Sequence, residues 1–287
     1  MTKLILMKRF YILICFLLSI FNSFSQQITC STKDRQVFED KIIEIEGLLE
    51  SDFGTTIVAI GKTFKGIPYV AKTLEIGEVE SLVVNLQGLD CTTYVENVLA
   101  FSMLLKNNTS DFDAFTKILE TIRYKDGQLD GYGSRLHYFT DWIRNNEQKG
   151  LLEDITAKIG GVSLEKDINF MGTHRELYPF LKSDENFEKI IATEKELAKE
   201  TFCFLPREEI EANEHLIKTG DIIALVTSIK GLDVTHTGIA TREKDGRIHL
   251  LHASTSSMQV EVTKKPLADY LLGINKNIGI LVARPLK

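Results

Sequence analysis

Gly88-Leu89-Asp90-Cys91-Thr92-Thr93-Tyr94-Val95 is the stretch on which the reading of this chain turns. It sets a cysteine at the seam between a polar turn and a segment of helical periodicity. From Thr92 onward Tyr94, Val95, Val98, Leu99, Met103 and Leu105 recur at mostly helical spacing, which predicts a helix running to about Lys106. Asp90 suits the position just before a helix, where its carboxylate accepts an otherwise unpaired backbone N–H. Cys91 then sits at the positive end of the helix dipole. That location favours thiolate, the nucleophilic form, over thiol. A lone cysteine at a helix start is more often a small buried apolar residue, so its standing depends on what lies downstream.

From Thr219 the texture changes. Residues 221–227, 235–241, 247–252, 258–262 and 279–283 are apolar runs of strand length. The second and third are joined by Arg242-Glu243-Lys244-Asp245-Gly246, a hairpin connection carrying Asp-Gly. His236 starts the first hairpin strand and His252 ends the second. A turn centred near Lys244 sets the two directly opposite on one face, with Cβ atoms about 5 Å apart. A turn one residue different would put them on opposite faces. A cysteine nucleophile needs a base within reach and a third group to orient that base, so Cys91, His236 and His252 form a candidate catalytic set. His249 has the wrong parity for this face and reads as an ordinary strand residue.

The beginning of the chain reads as a leader. Lys3, Lys8 and Arg9 precede an apolar run over residues 10–21, and Ser23 and Ser25 offer the small residues of a cleavage site, so residues 1–25 are expected to be a signal peptide. The apolar run is too short for a membrane span, and neither Cys15 nor Cys30 has the context of a lipid-anchored cysteine. An exported, periplasmic protein without stable membrane insertion is expected. The whole chain carries a formal charge of −6 and becomes more acidic once the leader's cations are removed. That balance argues against nucleic acid as a partner. Cys30, Cys91 and Cys203 form neither a disulfide scaffold nor a CxxC site; Cys30 and Cys203 either pair or stay reduced. The histidines lack ligand spacing, so no metal or other cofactor is expected.

Between the leader and the hairpin, residues 36–50, 53–63, 113–123 and 186–200 read as helices, the last with charges at solvated-face spacing, and residues 81–86 as a strand. Phe64-Lys65-Gly66-Ile67-Pro68-Tyr69-Val70 is a loop ending on an aromatic residue. Ser134-Arg135-Leu136-His137-Tyr138 is dense in polar and aromatic groups: either a substrate-handling segment, or part of an aromatic core helix with Arg135 and His137 on its polar side. Helices first and an antiparallel sheet after them make an α+β fold.

Asp90-Cys91-Thr92-Thr93-Tyr94-Val95, Thr219-Gly220-Asp221-Ile222, His236-Thr237-Gly238-Ile239 and His252-Ala253-Ser254 occur in the order used by the NlpC-type cell-wall cysteine hydrolases, which this chain resembles. The wider wording resembles the N-acetylmuramoyl-L-alanine amidase-like branch of that superfamily. This wording comprises Gly88 to Glu96, Ser134-Arg135-Leu136-His137-Tyr138 and Gly231-Leu232-Asp233-Val234-Thr235-His236. Thr92-Thr93 stands where the superfamily commonly has Ser-Gly, and Tyr69 is not followed by Trp-Gly-Gly. The resemblance implies a papain-like core, a cysteine-bearing helix packed on an antiparallel sheet, in one domain over residues 26–287. A largely helical insertion would occupy about residues 107–216.

It also implies cleavage of the amide between N-acetylmuramic acid and L-alanine in peptidoglycan or muropeptides. A γ-D-glutamyl stem-peptide endopeptidase and a non-catalytic peptidoglycan-binding module are the competing readings. Carried to these residues, Cys91 is the nucleophile, His236 the base and His252 its orienting group. The Cys91 N–H and the Tyr69 hydroxyl are candidate oxyanion donors, Tyr69 being otherwise a half-buried core aromatic. Arg135, His137 and Tyr138 would line the substrate cleft.

Overall fold

The structure is a computed structural model that describes residues 28–286; the expected leader and Cys15 lie outside them. The described chain opens with β1 (Ile28–Cys30), α1 (Thr32–Ile45), α2 (Phe53–Lys62) and β2 (Leu82–Val84). There follow α3 (Cys91–Lys106), α4 (Phe112–Arg123) and α5 (Phe139–Gln148). The middle of the chain adds β3 (Leu152–Asp154), β4 (Val162–Leu164), α6 (Asp184–Leu197) and β5 (Phe202–Pro206). It closes with β6 (Ile222–Thr227), β7 (Val234–Arg242), β8 (Ile248–Ser254), β9 (Gln259–Val262), α7 (Leu267–Leu272) and β10 (Asn277–Pro285). Among the described residues no helix is long and apolar enough to cross a membrane.

The main sheet has eight strands in the order β4-β5-β10-β6-β7-β8-β9, with β3 also paired to β10. Its pairings are antiparallel. Strand alternation divides β6 between two cores. Ile222, Ala224 and Val226 face the helical layer, and Ile223 and Leu225 face α7 on the other side. The mixture of helix and antiparallel sheet is the expected α+β class. Residues 107–216 are mostly helical, and they also supply β3, β4 and β5, which join the main sheet through β10. Those strands are three to five residues long, too short for period-two patterning to announce them.

α3 is the centre of the helical layer. It starts at Cys91, and Thr93 through Ser102 and Leu104 are buried, as in a helix surrounded by protein rather than one lying on a surface. Tyr94, Val95 and Val98 share one apolar core with Ala224, Ile239 and Leu251 of the sheet. Glu96, on the same helix, is buried and paired with Arg123 at 2.7 Å. Arg123 Nη1 also donates to the Val83 carbonyl, and Trp142 Nε1 donates to Glu96 at 3.3 Å. One carboxylate thereby ties α3 to α4, α5 and β2. α6 keeps Glu185, Glu188, Lys189, Lys195 and Glu196 exposed, as the charge spacing implies, and packs Ile190 and Leu197 into a third core with Tyr132, Tyr138 and Phe180.

Candidate active site

Local chemistry explains where the cysteine is held. Asp90 is extended, its carboxylate accepts the Thr93 N–H at 2.8 Å, and the Thr93 hydroxyl accepts the Asp90 N–H at 2.9 Å, forming a capping box. Cys91 is the first helical residue, with a half-buried side chain. Its own N–H belongs to the first-turn donors for which a helix supplies no partner. The Thr237 hydroxyl donates to the Cys91 carbonyl at 3.0 Å and fastens the start of α3 to β7.

Tyr69 reaches the same place by a different route. Tyr69 N–H donates to the Met258 carbonyl at 2.9 Å, and Val70 N–H to the Leu89 carbonyl at 3.1 Å. This threads the Gly-Ile-Pro-Tyr segment between β9 and the turn before Cys91. Burial and the charges of Cys91 and Asp90 push the Tyr69 phenol up to about 12, so it keeps its proton at neutral pH.

The two histidines meet, but not in the expected register. β7 pairs with β8 as Ile239 with Leu251 and Arg242 with Ile248, a hairpin centred on Asp245 rather than Lys244. Gly246 there adopts φ +80°, a conformation open to glycine. His252 consequently lies diagonal to His236 on the same face, not directly opposite. A Cβ at Gly238 would stand 2.9 Å from that of His252, so the absence of a side chain there leaves room for the imidazole. Diagonal neighbours are within reach of long side chains. His236 Nε2 lies 2.6 Å from His252 Nδ1, with the rings nearly perpendicular. A bulge in β7 helps aim His236: Leu225 pairs with His236 and Val226 with Val234, leaving Thr235 as the extra residue. Asn277 Nδ2 holds that bulge by donating to the Thr235 hydroxyl at 2.7 Å.

The electrostatics correct the expected thiolate. Burial, with the Asp90 carboxylate beside it, pushes the Cys91 thiol up to about 11, against the opposing pull of Thr237 and Thr92. Burial also pushes His236 down to about 4, and burial with the neighbouring His236 pushes His252 down to about 3. The resting site holds a neutral thiol and neutral imidazoles. Low dielectric outweighs the helix dipole, because desolvation penalises each charged form.

Arg135, His137 and Tyr138 bond to residues outside the histidine pair. Arg135 is buried; it pairs with Glu75 and, at 3.2 Å, with Glu80, and its guanidinium lies over the Tyr132 ring. His137 Nε2 bonds the Tyr132 carbonyl at 2.9 Å. The Tyr138 hydroxyl donates to Glu194 at 2.7 Å and accepts the Met171 N–H at 2.8 Å. α5 begins at Phe139, so none of the three lies within that helix. His249 bridges the Thr263 carbonyl at 2.7 Å and Asp245 at 3.0 Å, bracing the hairpin. Cys30, Cys91 and Cys203 are free thiols. Among the described residues no group of three or more His, Cys, Asp and Glu side chains is placed to hold a metal ion. Sequence reading passed over Thr237 and Asn277; only Thr237, one residue after His236, lay in a quoted motif.

Residues 59–280 match the AmiA-like family, described as N-acetylmuramoyl-L-alanine amidase-like. The chain belongs to that family. Among solved structures, an N-acetylmuramoyl-L-alanine amidase from Bacteroides uniformis is 40% identical with a TM-score of 0.78. The match covers 82% of this chain and 99% of that one. A Bacteroides fragilis protein, described only provisionally as a xylanase, is 42% identical with a TM-score of 0.74, covering 78% of this chain and 98% of its own. A Legionella pneumophila protein shares the fold at 22% identity and TM-score 0.64, covering 88% and 96%. No curated protein matches this chain. The family and these relatives make the chain an amidase-like hydrolase.

Proposed function

We propose that this chain is an exported cysteine amidase acting in the periplasm. Its bond is the amide joining the lactyl group of N-acetylmuramic acid to L-alanine, in peptidoglycan or its muropeptide fragments. The observation that carries the reading is the bond between His236 Nε2 and His252 Nδ1, together with the bond by which Thr237, next to His236, fastens the helix start that bears Cys91. With Nε2 so occupied, Nδ1 of His236 is the nitrogen left to serve the thiol. This is the logic of a nucleophile, a base and an orienting group, built on a helix packed against an antiparallel sheet in the manner of the NlpC-type enzymes.

The chemistry follows from neutral partners. Sγ of Cys91 attacks the lactyl carbonyl while His236 takes the thiol proton. The oxyanion of the tetrahedral intermediate accepts from the Cys91 N–H and the Tyr69 hydroxyl. The imidazolium of His236 then protonates the departing L-alanine nitrogen as the C–N bond breaks, leaving a thioester on Cys91. Water, deprotonated by His236, attacks that thioester and releases the lactyl carboxylate and the free thiol.

A glycosidase reading would ask for two carboxyl groups flanking the bond to be cut. Asp90 is instead committed to capping α3. The deciding experiment is mass spectrometry of a defined muropeptide after incubation. Release of an intact stem peptide with a free L-alanine amine, abolished by Cys91→Ala, supports the amidase. Release of an L-Ala-D-Glu dipeptide, or undiminished digestion by Cys91→Ala, overturns it.

A further inference from the structure

We infer that Tyr270 is a positioning residue of this site: the face of its ring receives the Nε2–H of His252 and thereby fixes the tautomers of both histidines. The inference deepens the amidase reading and rests on it for its catalytic consequence.

His252 is 1% exposed, so both of its ring nitrogens must be satisfied inside the protein. Nδ1 meets His236, whereas Nε2 is buried with no hydrogen-bond partner among the described residues. The ring of Tyr270 lies 5.8 Å from that of His252, centroid to centroid, at 76°. Edge-to-face pairing at this separation allows a ring N–H to meet a π cloud. α7 holds the tyrosine there, with Leu267, Ala268 and Leu271 buried in the second core and Tyr270 packed against it.

One proton lies between the two facing nitrogens, and its position decides whether His236 can work. If it belongs to His252 Nδ1, then His252 Nε2 is a bare lone pair facing the electron-rich ring, and His236 carries its other proton on Nδ1. That His236 cannot accept from a thiol. If the proton belongs to His236 Nε2, then His252 carries its proton on Nε2, directed at the ring, and His236 Nδ1 is a free base. The negative face of the tyrosine ring favours the second arrangement. The ring, rather than the hydroxyl, performs this task.

Two-bond ¹H–¹⁵N correlation spectra of the uniformly labelled full chain read both tautomers directly. The expected result is Nε2–H on both His236 and His252 in the parent protein. Tyr270→Leu is expected to mix the tautomers and lower kcat roughly five-fold with KM unchanged. Tyr270→Phe, which keeps the ring, is expected to restore both readouts. A parent protein with His252 protonated on Nδ1 overturns the inference, and so do unchanged tautomers and kcat in Tyr270→Leu. The spectrum of the parent protein decides the matter even if Tyr270→Leu fails to fold. Absence of muropeptide hydrolysis by the parent protein would sink the amidase reading alone and leave the tautomer result standing.

Discussion

Cys91 is held between opposing influences. The helix start and the Thr237 and Thr92 groups favour its thiolate, whereas burial and Asp90 oppose it and prevail. Activity should then depend on His236 being neutral, not on a preformed ion pair. Because burial lowers that imidazole to about 4, it remains able to accept a proton well below 6.5. The profile of kcat/KM against pH is expected to stay flat through 6.5 and to fall only near pH 4. An acid limb at 6.5 or above would show that burial does not hold His236 neutral. Tyr69 offers a second test at this scale. Its phenol stays protonated and lies beside Cys91. Tyr69→Phe is expected to lower kcat about 10²-fold, the usual effect of deleting one oxyanion donor. A change confined to KM in steady-state kinetics would remove Tyr69 from that role.

At the scale of elements, α3 and the β7–β8 hairpin meet at Thr237. The ends and period of α3 were legible because Asp90 and Thr93 make a capping box and the apolar spacing is helical. The exact pairing of the hairpin was not. A shift of its centre from Lys244 to Asp245 keeps the parity of every side chain, so His236 and His252 still share a face while changing from opposed to diagonal. The rigidity of α3 rests partly on Glu96, whose carboxylate is 2% exposed and bonded to Arg123 and Trp142. Removing one member of a buried pair leaves the other charge uncompensated. Glu96→Ala is expected to cost about 3–5 kcal/mol of stability in urea unfolding. A loss under about 1 kcal/mol, the range of an exposed pair, would show the network to be dispensable.

For the molecule as a whole, the buried histidines link folding to pH. The folded chain keeps His236 and His252 neutral down to about 4 and 3, while an unfolded chain protonates histidine near 6.5. Between those values the unfolded state binds more protons, so their share of stability is lost progressively as pH falls below 6.5. The carboxyls of Glu80, Asp141, Asp221 and Asp233 are raised by burial and act in the opposite sense. A comparison between proteins cancels their part. Denaturant titrations at pH 7 and pH 5 are expected to show the parent losing more stability than His252→Asn; equal losses would contradict the assignment.

The sequence alone determined the nucleophile candidate, the helix that carries it, the five strands from β6 to β10 and the α+β class. All of these are local: period, cap and turn residues act over a few positions. Tertiary structure decided the rest. It joined β3, β4 and β5 to the sheet, because strands of three to five residues are defined by their partners. It turned Arg135 and Tyr138 inward, because Glu75, Glu80 and Glu194 come from distant parts of the chain to meet them. It also reversed the expected ionisation of Cys91, because burial around a helix start is a property of the packed molecule and not of the helix.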